Sequence, residues 1–280
     1  MDYSQYNLEK TGYLKEDFRL FHINDQTKKD FSYHYHDFHK IIVFISGKVT
    51  YHIEGKAYHL KPRDILLVSQ GAIHKPEIDP SVPYERYIFW IRDDLSCQEL
   101  NTCFQKANDR SFNLVRADSA LQERLKDLLP EIEQTLQNEH FGDPVLRDAL
   151  FTQFMIYINR IFLRTSSSPD KKTYSSDTQV EQLLKYINRN LSENLSIDQL
   201  ANRFFFSKYH MMRKFKNETG YTIHNYITSK RLLMARSLIS QGMPVMKAAQ
   251  ASGFMIIQHL SGHIKNSSVK HLPVNSCQYH

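Results

Sequence analysis

Ser196-Ile197-Asp198-Gln199-Leu200-Ala201-Asn202-Arg203-Phe204-Phe205-Phe206-Ser207-Lys208-Tyr209-His210-Met211-Met212-Arg213-Lys214-Phe215-Lys216-Asn217-Glu218-Thr219-Gly220 reads as two short helices joined by a tight turn. Ser196 followed three residues later by Gln199 is a capping box, in which hydroxyl and amide side chains each satisfy an orphan backbone N–H. The first helix runs from there to about Arg203, and the pattern breaks at Phe205-Phe206. Ser207 caps a second helix, Lys208 to about Thr219, and Gly220 supplies the left-handed residue that ends it. Met211 and Phe215, four apart, face Leu200 and Ala201, which leaves Tyr209, Met212, Arg213 and Lys216 pointing outward. A preceding helix, about 178–191, carries the apolar stripe Val180, Leu183, Leu184 and Ile187.

Charge separates this part of the chain from the rest. From residue 178 onward there are 13 Lys and Arg against 4 Asp and Glu, which leaves 23 against 26 before it. A compact basic domain joined to a mildly acidic one points to a polyanionic partner for the basic part. The major groove of duplex DNA admits one helix, and a second helix can brace it against the backbone. A cationic amphipathic helix with a merely solvated face gives the same local pattern.

The wider spacing goes further. Leu195-Ser196, Leu200-Ala201, Ser207-x-Tyr209-His210, Arg213-x-Phe215-Lys216 and Glu218-Thr219-Gly220 are followed by Thr222, Tyr226-Ile227, Arg231, Ala235 and Leu238, then Val245, Ala248-Ala249 and Gly253-Phe254. Across roughly 75 residues this set resembles the AraC/XylS family of transcription regulators. The resemblance implies two helix-turn-helix units, joined by a long helix, that enter successive major grooves of duplex DNA. It implies DNA-binding roles for Ser207, Lys208, Tyr209, Met212, Arg213, Lys214 and Lys216, with Tyr209, Met212 and Arg213 reading bases and Lys208, Lys214 and Lys216 near phosphates. Arg213 is the strongest single candidate, because a guanidinium can bond guanine O6 and N7 together. Met212 stands where relatives often carry a polar residue, which would make its contact apolar, such as to a thymine methyl.

The second unit starts normally at Pro244-Val245 and departs from the family after Phe254. Read one base earlier, codons for the following residues can encode a family-like ending that contains Phe-Gly-x-Thr-Pro. Residues 255–280 are therefore expected to be a frameshift product, from a lesion or a sequencing error, and no base contact is assigned to them.

Upstream, residues 20–91 alternate short apolar runs such as Ile41-Ile42-Val43-Phe44-Ile45 and Ile65-Leu66-Leu67-Val68 with Ser46-Gly47, Glu54-Gly55, Pro62 and Gly71, the rhythm of a β-sandwich or small barrel. From 119 to 164 the period becomes helical. One stripe holds Leu121, Leu125, Leu128, Leu129 and Ile132, the other Phe151, Phe154, Met155, Ile158 and Ile161. Thr165 to Lys172 is polar and aperiodic, the expected linker. His34-x-His36, Lys40, Gly47 and Gly71-Ala72-Ile73-His74 resemble the cupin motifs of sugar-responsive AraC relatives. Enzymatic cupins place a glutamate where Lys40 stands, and a cationic ammonium opposes a metal rather than ligating one. The resemblance makes His34, His36, Lys40 and His74 candidate effector contacts at the mouth of the barrel, Lys40 favouring an anionic or polyhydroxylated ligand. Ordinary polar residues on strand faces would look the same. His39, His52 and His59 read as surface residues.

The expected chain is thus an α+β two-domain protein. A cupin-like β-barrel with a helical pair occupies 1–164, a linker 165–177, and an all-α double helix-turn-helix domain with an incomplete second unit 178–280. Cys97, Cys103 and Cys277 form no CxxC pair, and no apolar run is long enough to span a bilayer, so a soluble cytoplasmic protein is expected. No P-loop, GxGxxG, activated nucleophile, cofactor site or metal is assigned. The expected function is an effector-responsive regulator, with duplex DNA, a small-molecule effector, RNA polymerase and a second copy of the chain as partners. A regulator remnant with impaired DNA binding and a metal-dependent cupin enzyme are the alternatives.

Overall fold

A computed structural model of the chain describes residues 9–10, 12–26, 30–110, 112–138, 140–164 and 174–254. Most of the expected linker, 165–173, and the divergent residues 255–280 lie outside these. The described residues form two compact units: one from 9–53 and 57–175, the other chiefly from 176 onward, with the turn Glu54–Lys56 grouped with it.

The first unit is built on β1 (Glu9–Lys10), β2 (Phe18–Asp25), β3 (His34–Tyr35), β4 (His39–Ser46), β5 (Val49–Ile53), β6 (Lys56–His59), β7 (Asp64–Val68), β8 (His74–Ile78), β9 (Tyr84–Ile91), β10 (Leu114–Arg116) and β11 (Tyr174–Ser176). One sheet runs β1-β3-β8-β5-β6-β11 and the other β10-β7-β4-β9-β2. The last three residues before the helical part are therefore strand rather than linker. Their tyrosine explains it, since Tyr174 packs against the ring of Tyr58.

Strand β4 sits between β7 and β9 and is covered on both faces, which is why its sequence is an unbroken apolar run rather than an alternation. Ile42 and Phe44 enter a core between the sheets with Val49, Tyr51, Ile53, Leu66 and Val68. Ile41 and Val43 point the other way, into a core shared with the helices. Strand β5, exposed on one face, keeps the alternation of buried Val49, Tyr51 and Ile53 with half-buried Thr50 and His52.

The helices α2 (Ser119–Gln137) and α3 (Asp143–Arg164) bury the apolar stripes seen in the sequence. Phe151 stacks on Phe18 at 3.9 Å between ring centroids and Phe154 on Phe89 at 4.2 Å. A 3-10 turn (Gln98–Asn101), α1 (Thr102–Arg110) and β10 lie between the β unit and α2 in the chain, where the sequence pattern marked nothing. Asn159 sits on the buried side of α3 because its amide bonds Cys103 N–H and the Leu100 carbonyl, each at 2.8 Å.

The second unit is helical: α4 (Thr178–Arg189), α5 (Ile197–Arg203), α6 (Lys208–Thr219), α7 (Ile223–Ser240) and α8 (Val245–Ala251). Every expected cap is present, and Asp177 and Thr222 add two more, on α4 and α7. Gly220 is left-handed with φ +78°. Arg231 on α7 donates to the carbonyls of Leu191 and Glu193, pinning the segment after α4. Gly253 takes φ +85° beside the Leu191 carbonyl, where a Cβ would come within 2.3 Å of that oxygen. Among the described residues no helix is long and apolar enough to cross a membrane.

Candidate nucleic-acid interface and effector site

Helix α5 opens with the capping box: Ser196 Oγ accepts from Gln199 N–H at 3.2 Å and Gln199 Oε1 accepts from Ser196 N–H at 3.4 Å. Ser207 Oγ accepts from His210 N–H at 3.3 Å and starts α6. Phe205, between the two helices, is 96% exposed with φ +54°. Met211 and Phe215 are buried, with Phe215 edge-on to Tyr226 at 5.5 Å. The opposite face presents Tyr209 at 71% and Met212 at 41% exposure, with Arg213 and Lys216 also exposed. These four form one outward surface, as the spacing required.

Two lysines expected near phosphate are otherwise engaged. Lys214 donates to Gln179 at 2.8 Å and pairs with Asp177 at 2.9 Å, which ties α6 to the N-terminus of α4. That partner is 35 residues away in sequence, so local pattern carried no sign of it. Lys208 pairs with Asp198 of α5.

In the β unit, His34, His36 and His74 converge, with potential ligand atoms within 4.8 Å of one another. The pairing of β3 with β8 puts His34 opposite His74, with ring centroids 4.4 Å apart. His36 stacks on Phe38 and lies 6.0 Å from Trp90. Lys40 shares the inner face of β4 with Ile42 and Phe44 and pairs in register with Trp90 of β9. His36, Lys40 and His74 are 3%, 7% and 0% exposed, so the cluster lies inside the barrel and not at its mouth.

Backbone carbonyls set the tautomers. His34 Nδ1 lies 2.8 Å from Ser32 O and His74 Nδ1 2.9 Å from Ala72 O. A carbonyl only accepts, so both rings carry their proton on Nδ1 and keep a lone pair on Nε2. Burial and the Lys40 charge lower His34 to about 4, and the same causes hold His74 well below its usual range. Burial first, and then Arg86, lowers Lys40 to about 7. A divalent ion would meet three imidazole donors and a buried amine in place of the carboxylate that completes such a set. Three imidazoles are a set that can hold zinc, and the Lys40 amine, where it carries its proton, opposes a cation there.

Sequence reasoning missed Arg86 and Asp25. Arg86 grips the Asp25 carboxylate with both terminal nitrogens and also donates to Tyr84 O at 2.9 Å. The two residues are 61 apart in sequence and meet only because β2 pairs with β9. His39 is buried, not on the surface: Gln70 N–H donates to its Nδ1 at 3.0 Å and its Nε2 meets Asp93 at 2.8 Å. It faces the helices because Ile41, two residues on, does. His52 and His59 do reach solvent. A separate cavity of about 480 Å³, lined by Val43, Tyr87, Leu125, Leu129, Arg63 and Lys126, lies between the outer face of the second sheet and α2.

Residues 20–155 match the model for the AraC-like ligand binding domain, and residues 200–267 match a helix-turn-helix domain. The chain belongs to the AraC family of transcription regulators. The helix-turn-helix match runs to residue 267, past Phe254, the expected end of the likeness. The HTH-type transcriptional activator RhaS of Escherichia coli is similar at 22% identity over 235 residues, 83% of this chain and 82% of RhaS. Among solved structures, an apo form of ToxT from Vibrio cholerae aligns over 90% of this chain and 94% of its own, at 12% identity and a TM-score of 0.39. The DNA-binding domain of AdpA in complex with DNA aligns over 32% of this chain and 82% of its own, at 25% identity and a TM-score of 0.31. This AraC-family chain is a DNA-binding regulator with a ligand-binding domain, and its relatives are regulators rather than enzymes.

Proposed function

We propose that this regulator reads DNA through the outward face of α6 and acts as a cytoplasmic, homodimeric activator whose effector is a sugar or sugar-derived acid bound by His34, His36, Lys40 and His74. The exposed row Tyr209, Met212, Arg213 and Lys216, on a helix braced by α5, carries the DNA reading. Activation, with RNA polymerase as partner, is proposed from similarity to the transcriptional activator RhaS, and a sugar response from the resemblance of the His34-x-His36, Lys40 and His74 motif to sugar-responsive AraC relatives. A dimer rests on α3, where Val145, Leu146, Ile156 and Leu163 are exposed although the helix already buries a full apolar stripe. Fluorescence anisotropy on operator and random duplexes tests the interface. Arg213→Ala should cost about 1–3 kcal/mol on the operator and relax preference at one base pair. Equal losses on both duplexes would refute the assignment of base reading to Arg213.

A second reading follows from the departure after Phe254: a chain with half of its DNA surface replaced, binding weakly or only through its partner in a dimer. Gel shifts of this chain beside a frame-restored version separate the two, and the nucleotide sequence around codon 255 decides whether an overlapping frame exists.

A further inference from the structure

The interior of the β unit leaves three polar groups unmatched, on three different strands. Lys40 on β4 is 7% exposed and has no acidic partner among the described residues. Arg86 on β9 is 5% exposed; its terminal nitrogens are taken by Asp25 and Tyr84 O, while its Nε has no hydrogen-bond partner. His74 on β8 is fully buried, its Nδ1 proton is spent on Ala72 O, and its Nε2 has no partner. Buried polar groups in native proteins are matched, and an orphan needs an explanation. The deficit here has a definite sign: Arg86 takes the Asp25 carboxylate, Lys40 is left without one, and the remaining ring nitrogen is an acceptor.

The complement of that pattern is one molecule. Lys40 and Arg86 Nε are donors and need acceptor oxygens, at least one of them anionic to balance the second cation. The His74 Nε2 lone pair, like that of His34, needs a hydroxyl that donates. Lys40 pairs with Trp90 and Phe44 with Arg86, so the two cations rise from the same face of the sheet. A carboxylate at Lys40 only accepts, which leaves the His74 acceptor to a hydroxyl elsewhere on the same molecule. A monoanion balances a deficit of one charge, whereas a phosphate ester brings two negative charges and a third oxygen with no donor waiting.

We infer that the effector of this regulator is a polyhydroxy monocarboxylate of the uronate or aldonate class, its carboxylate seated by Lys40 and a hydroxyl donating to His74. The inference rests on the proposed effector site and names its ligand class. His34, His36, Tyr51, Tyr84 and Asp25 are the other titratable groups against these three, from β3, the turn after it, β5, β9 and β2.

Calorimetric titration of the full chain with galacturonate, glucuronate and gluconate, against galactose, glucose and glucose 6-phosphate, tests it. At least one acid should bind ten-fold or more tightly than its neutral counterpart. Lys40→Gln should erase that margin, and His74→Phe should weaken acid and sugar alike. Lys40→Met, which carries no donor, repeats the first test if the glutamine variant folds poorly. An acid bound no more tightly than its neutral counterpart by the wild type, with both lost in His74→Phe, would overturn the acid class and keep the site. Preference for the phosphate ester, or stoichiometric zinc lost in His74→Phe, would also overturn the class. No binding of any probe, or binding indifferent to both substitutions, would overturn the site itself.

Discussion

Replacing Lys40 by methionine should stabilise the ligand-free protein. The side chains are similar in length and flexibility, so packing changes little, and the substitution removes a buried charge that no carboxylate balances. Folding lowers this amine from 10.5 to about 7. That corresponds to roughly 5 kcal/mol of disfavour for the charged form, from 1.36 kcal/mol per pKa unit. Replacing buried ions by apolar groups returns about 1–4 kcal/mol in practice, because the surroundings relax around the charge. A gain in that range should raise Tm by about 2–4 °C per kcal/mol.

The sign of the pH dependence is fixed. Between about pH 7 and 10.5 the unfolded chain holds a proton at Lys40 that the folded chain has released, so wild-type stability rises with pH across this window. The advantage of Lys40→Met should be largest at or below pH 7 and shrink toward pH 10. Urea melts of both proteins at several pH values between 6 and 10 measure it. A variant less stable than wild type at pH 7, or an advantage flat with pH, would refute the idea of an uncompensated buried cation.

The acid limb has a different origin. His34 and His74 are held neutral by burial and by Lys40, so their contribution to stability is present above about pH 6.5 and is lost as pH falls toward 4; Tm should drop across that interval, and less steeply in His74→Phe. Gly253→Ala should cost about 2 kcal/mol or more in urea melts, since a Cβ meets the Leu191 carbonyl and the left-handed backbone disfavours it; a neutral result would mean that the segment after α4 can move away. Lys216→Ala should reduce the slope of log K against log salt by about 1, the release of one phosphate contact, while Lys214→Ala should leave the slope nearly unchanged and lower stability by about 0.5 kcal/mol through its half-exposed pair with Asp177. Anisotropy at several salt concentrations separates the two lysines.

Local order was legible in the residues. The capping box at Ser196, the cap at Ser207 and the left-handed Gly220 are short-range hydrogen-bond and backbone requirements, so three or four residues suffice to state each. The stripes of α2 and α3 and the face of α6 follow from a 3.6-residue period, and the structure keeps them. What sequence could not carry was pairing at a distance. The burial of His39, the diversion of Lys214 to Asp177, and the strand Tyr174–Ser176 each depend on partners that chain order does not announce.

The same division holds for the effector site. The sequence by itself determined that His34, His36, Lys40 and His74 belong to one motif, and that a lysine stands where a metal site needs a carboxylate. Only the tertiary structure decided that they lie inside the barrel, which Nε2 atoms keep lone pairs, and that Arg86 consumes the nearby carboxylate of Asp25. The physical reason is that the charge balance of a buried space is a sum over every strand around it, and strand pairing is fixed by long-range burial rather than by neighbours in the chain.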